Sequence, residues 1–324
     1  MTVDTTTLWT CQASDYPHFE HEPYTAHASH WGIIELKGPD AAKFLQGQCT
    51  ADTSQLHPDH ALPAATLNLK GRVLELFLII DLGSSLFLIM PSDLMTEFMQ
   101  RMQRYLAFSQ TTQRDVSSSW SCWIDGRKEG PGPERWSCRS STQEIEVRLS
   151  EHRSLRILSG DHPDLVHRSV HALPSAFCIL GDIRDGLPVI FPATRDLFLP
   201  QMLHGQALGS LSFSKGCYTG QEVVARTWFR GQIKQSMYRL TGIHEYPVLP
   251  AQTVYHQDEQ GQMHAAGHTV IAVQGPEQHI ELLAVIREEW ADQQLLLQPQ
   301  GHFLKKNPLP YAIPVRENRP PQHG

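Results

Sequence analysis

Leu211-Ser-Phe-Ser-Lys-Gly-Cys-Tyr-Thr-Gly-Gln-Glu-Val-Val-Ala-Arg-Thr-Trp-Phe-Arg-Gly231 carries the densest local information in this chain of 324 residues. Its pattern predicts a short extended entry, a glycine-hinged loop and then a helix. Thr219 followed by Glu222 has capping-box spacing, in which Thr219 caps free N–H groups and Glu222 reaches back to the cap. Glu222 and Arg226 stand four apart in the favourable order for a helical ion pair. Gly231 supplies a C-terminal stop. Gly216 and Gly220 flank Cys217 and allow a tight turn or a close approach to a ligand. A cysteine just before a helix N-terminus and two residues from Lys215 has the setting for a thiolate. On spacing alone, a half-buried inert cysteine is the commoner outcome.

The run Lys215-Gly-Cys-Tyr-Thr-Gly-Gln-Glu222, with Arg226 four residues on, resembles the signature of the YgfZ family of folate-binding proteins. Their fold resembles the T-protein of the glycine cleavage system, an aminomethyltransferase. Three further segments resemble the family: Asp182-Ile-Arg-Asp-Gly-Leu-Pro188, Phe198-Leu-Pro-Gln201 and Phe44-Leu-Gln-Gly-Gln-Cys-Thr-Ala-Asp52. The resemblance covers about residues 28–324, more loosely over 117–176. It implies an α+β, T-protein-like folate-binding fold of mixed sheets with flanking helices, plus a small C-terminal β-barrel. Residues 1–230 would form the folate-binding region, as two interleaved subdomains. Residues 231–324 would form the barrel and a frayed tail.

The resemblance also implies a ligand, tetrahydrofolate or a derivative. A tryptophan at the Trp31 position is associated with the folate site, where a flat indole suits stacking on a pterin or aminobenzoyl ring. Tyr218 would pack near the ligand. Arg226 or Lys215 would lower the pKa of the thiol or receive the glutamate tail. Relatives often carry a second ligand-facing tryptophan near residue 177, where this chain offers Phe177 or Cys178. Family members resemble accessory factors that support iron–sulfur enzymes, including those that thiolate tRNA. Cys217 would then be the functional thiol, and the partners would be iron–sulfur enzymes or their assembly proteins.

Composition sets the outer bounds. A hydrophobic share of 40% and a charged share of 19% are ordinary for a globular protein. Twenty-seven basic against 34 acidic residues give a net charge of -7, which argues against a wholesale nucleic-acid binder. Lys215, Arg226, Arg230, Lys234 and Arg239 nevertheless crowd into one segment. The six cysteines include no Cys-x-x-Cys pair, so their spacing offers no zinc or iron–sulfur ligand set and no compact disulfide framework. Reduced thiols in a cytoplasm are the expectation. The N-terminus lacks a secretory pattern, and no apolar run is long enough to span a membrane.

Taken in order, residues 1–27 read as an irregular lead-in in which His18, His21, His27 and His30 fit no common metal template. Trp31 to Leu36 reads as the first firm strand, and Asp40 caps a short helix with Ala41, Phe44 and Leu45 on its apolar side. Leu62 to Leu69, Val73 to Leu82 and Leu86 to Met90 read as strands. A helix from Ser92 to about Leu106 follows, with Leu94, Phe98, Met102, Tyr105 and Leu106 on one face. Trp120 to Asp125, Ile145 to Leu149 and Leu155 to Leu158 read as strands, and Trp120, Trp123 and Trp136 as packing residues. Ile233 to Leu240, Val270 to Val273 and Ile280 to Ile286 complete the β segments, and Arg316 to Gly324 reads as a tail.

Two other functions compete. Aminomethyl transfer on tetrahydrofolate is associated with an acidic pair in a Gly-x-x-x-Asp-Asp context. Aligning Gly71 to it puts Glu75 and Leu76 near the acid positions, so one acid is longer and the other is absent. An RNA-binding module would use the basic segment with Tyr218, Trp228 and Phe229, but no RNA-binding signature accompanies it. Whether the chain is an enzyme stays open; an activity, if present, would be a tetrahydrofolate-dependent transfer.

Overall fold

The structure is a computed structural model and describes residues 9–126, 134–160, 171–231 and 233–313. The expected tail from Arg316 onward lies outside the described residues. The lead-in is more ordered than its sequence suggests. Helix α1 (Tyr16–His21) starts with Pro17 in its first turn, and β1 (Tyr24–His27) follows at once. Six residues and four residues are too short for either periodicity to register.

The first sheet is antiparallel throughout. The chain runs through β2 (Trp31–Lys37), α2 (Ala41–Gln46), β3 (Leu62–Leu67), β4 (Val73–Asp81), β5 (Leu86–Pro91), α3 (Ser92–Leu106) and β6 (Thr112–Asp115). The strand order is β3-β4-β5-β2-β6. Asp40 stands at the N-cap of α2, but its carboxylate accepts from Gln110 N–H instead of capping. Helix α3 buries Leu94, Met95, Phe98, Met102 and Leu106 on the sheet, while Tyr105 is left outside the stripe and exposed. Each buried apolar side chain of that stripe contributes about 1.5–3 kcal/mol relative to exposure.

The second sheet uses β7 (Trp120–Gly126), β8 (Cys138–Ser140), β9 (Glu144–Arg148), β10 (Arg153–Ser159) and β11 (His171–Leu173). Its order is β11-β1-β7-β10-β9-β8, so β1 is an interior strand, parallel to β11 and antiparallel to β7. Helix α4 (Ala176–Asp185) then crosses the core, with residues 176–183 all buried. A helix buried all round shows no amphipathic stripe, which is why the sequence does not announce it. Helix α5 (Gln221–Phe229) leads to the third sheet: β12 (Gln235–Ile243), β13 (Thr253–Gln257), β14 (Met263–Gln274), β15 (His279–Arg287), β16 (Leu295–Leu296) and β17 (Lys305–Asn307). Its order is β16-β13-β14-β15-β12-β17. A single bridge, Leu295 to Leu304, draws its two edges together, so the sheet curls into a half-barrel. No helix among the described residues is long and apolar enough to cross a membrane.

Arg153 joins the second sheet to α4. Its guanidinium donates to Asp182 Oδ1 at 2.8 Å, to Asp185 Oδ2 at 2.6 Å and to the Cys178 carbonyl at 3.2 Å. A Cβ on Gly181 would lie 2.4 Å from Arg153 Cζ, so only glycine lets the helix approach this closely.

Candidate functional site

A partly open, apolar cavity of about 80 Å³ sits where the first sheet, the second sheet and the segment 187–210 meet. Trp31, Leu76, Phe77 and Leu78 come from the first sheet, Ile124 and Leu155 from the second, and Pro188, Leu203 and Ser210 from the connecting segment.

Two tryptophans line this cavity. Trp31 begins β2, half-buried, and its indole Nε1 is buried with no hydrogen-bond partner among the described residues. Trp136 is the second; its Nε1 donates to the Leu208 carbonyl at 3.0 Å, and its backbone takes a left-handed φ of 69°. The second tryptophan therefore comes from a segment whose sequence gives it only a packing role. Phe177 does not line the cavity. It is fully buried in α4, edge-on to Tyr16 at 5.6 Å and tilted against Phe19 at 5.2 Å. An interior position on an all-buried helix explains the difference from its expected role, and Cys178 beside it is buried as well.

Asp182 is the one carboxylate among the cavity residues. Burial pushes its pKa up to about 6, against the pull of Arg153. Glu75 and Leu76 fall on opposite faces of β4, as neighbours in a strand must. Leu76 faces the cavity, whereas Glu75 is buried in an ion pair with Arg101 and accepts from Thr66 Oγ1. The cavity thus has an apolar side chain where aminomethyl transfer would need an acid.

Beside Trp31 lies His30, fully desolvated, with neither ring nitrogen hydrogen-bonded among the described residues. It packs edge-on to Trp9 at 5.2 Å and tilted against Trp31 at 5.5 Å. Burial lowers its pKa to about 3 from 6.5. The unfolded chain therefore binds a proton below pH 6.5 that the folded chain refuses until about pH 3. Stability is lost as pH falls through that window, by about 2 kcal/mol at pH 5 from this residue alone. Asp182 acts in the opposite sense over the lower part of the range, so the measurement is a difference. His30→Phe should gain about 2 kcal/mol over wild type between pH 7 and pH 5 in urea unfolding. A pH-independent difference would show that His30 is not held neutral.

The segment around Cys217 is built differently from its sequence reading. Helix α5 begins at Gln221 with Gly220 as N-cap, at φ 82°, and no side chain caps it, so Thr219 and Glu222 form no capping box. A Cβ on Gly220 would lie 2.5 Å from the Asn68 carbonyl and 3.2 Å from Gly71 Cα. The chain turns left-handed there to dock on the hairpin between β3 and β4, and that contact overrides the capping signal. Glu222 and Arg226 do form the expected i,i+4 pair, on the exposed face. Gly231 N–H bonds back to the Arg226 carbonyl.

Lys215 is buried, and its ammonium donates to the carbonyls of Gln46 at 2.7 Å, Cys49 at 2.7 Å and Ala51 at 2.6 Å. It also lies 5.1 Å from the centre of the Tyr218 ring. Burial lowers its pKa. The expected lysine beside the Cys217 thiol is therefore a clamp on another loop. Two family-like segments, 44–52 and 215–222, meet through it. A third family-like segment, 198–201, bonds to α5 and β4: Gln201 Nε2 donates to the Val224 carbonyl at 2.8 Å, and Val73 N–H donates to the Phe198 carbonyl at 2.8 Å. Thr50 Oγ1 donates to the carbonyl of Ser210, a cavity residue, and so links this assembly to the cavity wall. Tyr218 is buried, its hydroxyl lacks a partner among the described residues, and burial pushes its pKa up to about 12.

Cys217 is exposed and the other five cysteines are buried. Burial raises Cys11 and Cys122 to about 12 and Cys49 and Cys138 to about 11, and it raises Cys178 too. The cations counted near Cys217 do not make one basic face. Lys215 is internal, Arg226 pairs with Glu222, and Arg239 pairs with Glu281 at 2.8 Å.

The fold, three sheets with an apolar cavity between the first two, has a solved counterpart. The solved glycine cleavage system aminomethyltransferase T from Bartonella henselae superimposes with a TM-score of 0.68 over 90% of this chain and 87% of its own, at 12% identity. No family model matches the chain. Among curated proteins, the tRNA-modifying protein YgfZ of Pectobacterium carotovorum subsp. carotovorum is 31% identical over 229 residues, covering 65% of this chain and 68% of its own. The protein of that name from Klebsiella pneumoniae is 31% identical over 65% of this chain and 69% of its own. That from Vibrio atlanticus is 28% identical over 89% and 92%. The chain belongs to the YgfZ family.

Proposed function

We propose that this protein is a folate-binding accessory factor that supports the assembly or repair of iron–sulfur enzymes, including those of tRNA modification, with Cys217 as its functional thiol. The observation that carries the folate part is the cavity lined by Trp31 and Trp136, with the buried Trp31 indole N–H lacking an acceptor among the described residues. A flat heteroaromatic fits that lining by stacking on indole, and an acceptor elsewhere on the ligand would satisfy the orphaned donor. Trp31 and Trp136 would hold the ring, and Asp182 would take a ring N–H. A reduced folate would supply one-carbon or redox chemistry there. Tyr218 belongs to the loop beside this site. Arg226, paired with Glu222 on the exposed face, stays in the proposal as the residue that would receive an anionic glutamate tail.

The link to tRNA modification rests on the names of the relatives. Aminomethyl transfer is the weaker reading, because Leu76 faces the cavity and Glu75 is committed to Arg101. RNA binding is weaker still, because Tyr218 is buried and Trp228 is stacked on Phe213 at 5.1 Å. The cell compartment in this proposal is the cytoplasm, where Cys217 stays reduced. A domain division near residue 230 goes with it, since α5 ends at Phe229 and the third sheet starts at Gln235.

The test is complementation in a bacterium deleted for its own family member, with thiolated tRNA nucleosides as the readout. Wild type should restore them, and Cys217→Ser and Trp31→Ala should not. Restoration by Cys217→Ser would remove the thiol from the proposal. Timed alkylation near neutral pH with mass-spectrometric mapping should find Cys217 modified first, because its five competitors are buried. Cys217 among the slowest would contradict a working thiol.

A further inference from the structure

His18, Glu22 and His171 come together from two ends of the first 171 residues. Glu22 is the C-cap residue of α1, one turn after His18, and its N–H bonds to the His18 carbonyl. Strand β11 runs parallel to β1 with His171 opposite Tyr24, two residues past Glu22. The fold therefore places the two imidazoles on either side of one carboxylate. Glu22 Oε2 accepts from His18 Nδ1 at 2.8 Å and from His171 Nε2 at 2.6 Å. The rings stack at 3.7 Å with 21° between their planes. The three ligand atoms all lie within 4.8 Å of one another.

We propose that His18, Glu22 and His171 form a binding site for one divalent transition-metal ion of the zinc class. Two imidazole nitrogens and one carboxylate oxygen are a borderline donor set, which suits Zn²⁺, Co²⁺ or Ni²⁺ better than the all-oxygen preference of Ca²⁺ or Mg²⁺. Metal–ligand bonds of about 2.0–2.2 Å place tetrahedral ligand atoms about 3.3 Å apart. The carboxylate contacts need to open by about half an ångström, and the two stacked rings must splay so that their in-plane lone pairs converge, as the ion replaces the two bridging hydrogens. The side chains are 34%, 44% and 29% exposed, so water can reach them and complete the coordination. Glu22 also borders a groove lined by Phe19, Ser150, His152 and Arg153, which leaves an open side. Bound there, the ion staples α1 to the edge strand β11. The site lies apart from the tryptophan cavity and from Cys217, sharing no residue with either.

The test titrates zinc into the chelator-treated full chain by calorimetry and repeats the titration with Co²⁺ in the visible. One ion should bind per chain, raise the melting temperature by mass action and show no thiolate charge-transfer band with Co²⁺. Glu22→Gln and His171→Gln, both conservative at solvent-accessible positions, should each weaken binding at least about tenfold, and Cys217→Ser should leave it unchanged. Absence of saturable binding at micromolar zinc would overturn the site. So would binding that survives both ligand substitutions, or binding lost with Cys217→Ser.

Discussion

Arg153→Met is expected to cost about 3–5 kcal/mol of folding stability, the range for removing one partner of a buried ionic cluster. The guanidinium is shared by Asp182 and Asp185 and also satisfies the Cys178 carbonyl. Methionine fills much of the same space without strain, so a transfer or cavity penalty contributes little. What remains is Asp182, buried, with its charge uncompensated. That residue already holds a proton up to about pH 6, because burial works against its ionisation. Without Arg153 its pKa should rise further, and the loss of stability should shrink as the pH is lowered toward 4. Urea unfolding at pH 8 and pH 5 measures this. A loss under about 1 kcal/mol at pH 8 would show that the cluster contributes little beyond packing. Because Asp182 also lines the cavity, α4 and the ligand site should loosen together.

Lys215→Met should cost about 2–4 kcal/mol, by the removal of three charge-assisted hydrogen bonds to carbonyls that no water reaches easily. The effect should be local as well as global. The lysine holds the 44–52 loop to the Cys217 loop, so Cys49, fully buried in the native chain, should become open to alkylation well below the unfolding transition. Lys215→Arg should not rescue it, since a planar fork cannot point at three carbonyls arranged around one nitrogen. Protection of Cys49 equal to wild type would contradict the clamp and return Lys215 to the neighbourhood of Cys217.

What the sequence tells of this protein follows the range of the forces involved. Helix α3 declares itself because its period matches the face it buries, and strands β2, β4 and β5 because they are short apolar, β-branched runs bounded by turns. Helix α4 does not, because Ala176 to Ile183 is buried on every side. The Thr219–Glu222 capping signal is genuine local chemistry, overridden by the close approach of Gly220 to the hairpin carrying Gly71. Lys215 reads naturally as a partner of the cysteine two residues away, yet its acceptors lie 164 to 169 positions upstream. Trp136 carries no local mark of the cavity it shares with Trp31, and His171 none of its meeting with His18. Motif recognition finds the segments that converge; only the fold says which atoms of those segments face one another.

The proposed function stands on a working folate pocket at the tryptophan cavity. Its most direct measurement is a titration of tetrahydrofolate followed by tryptophan fluorescence, on wild type and on Trp31→Ala. Wild type should show saturable quenching, and the variant an affinity weakened at least about tenfold, the worth of one stacked aromatic contact. Wild type that shows no saturable binding, or a variant that binds as tightly as wild type, would contradict it.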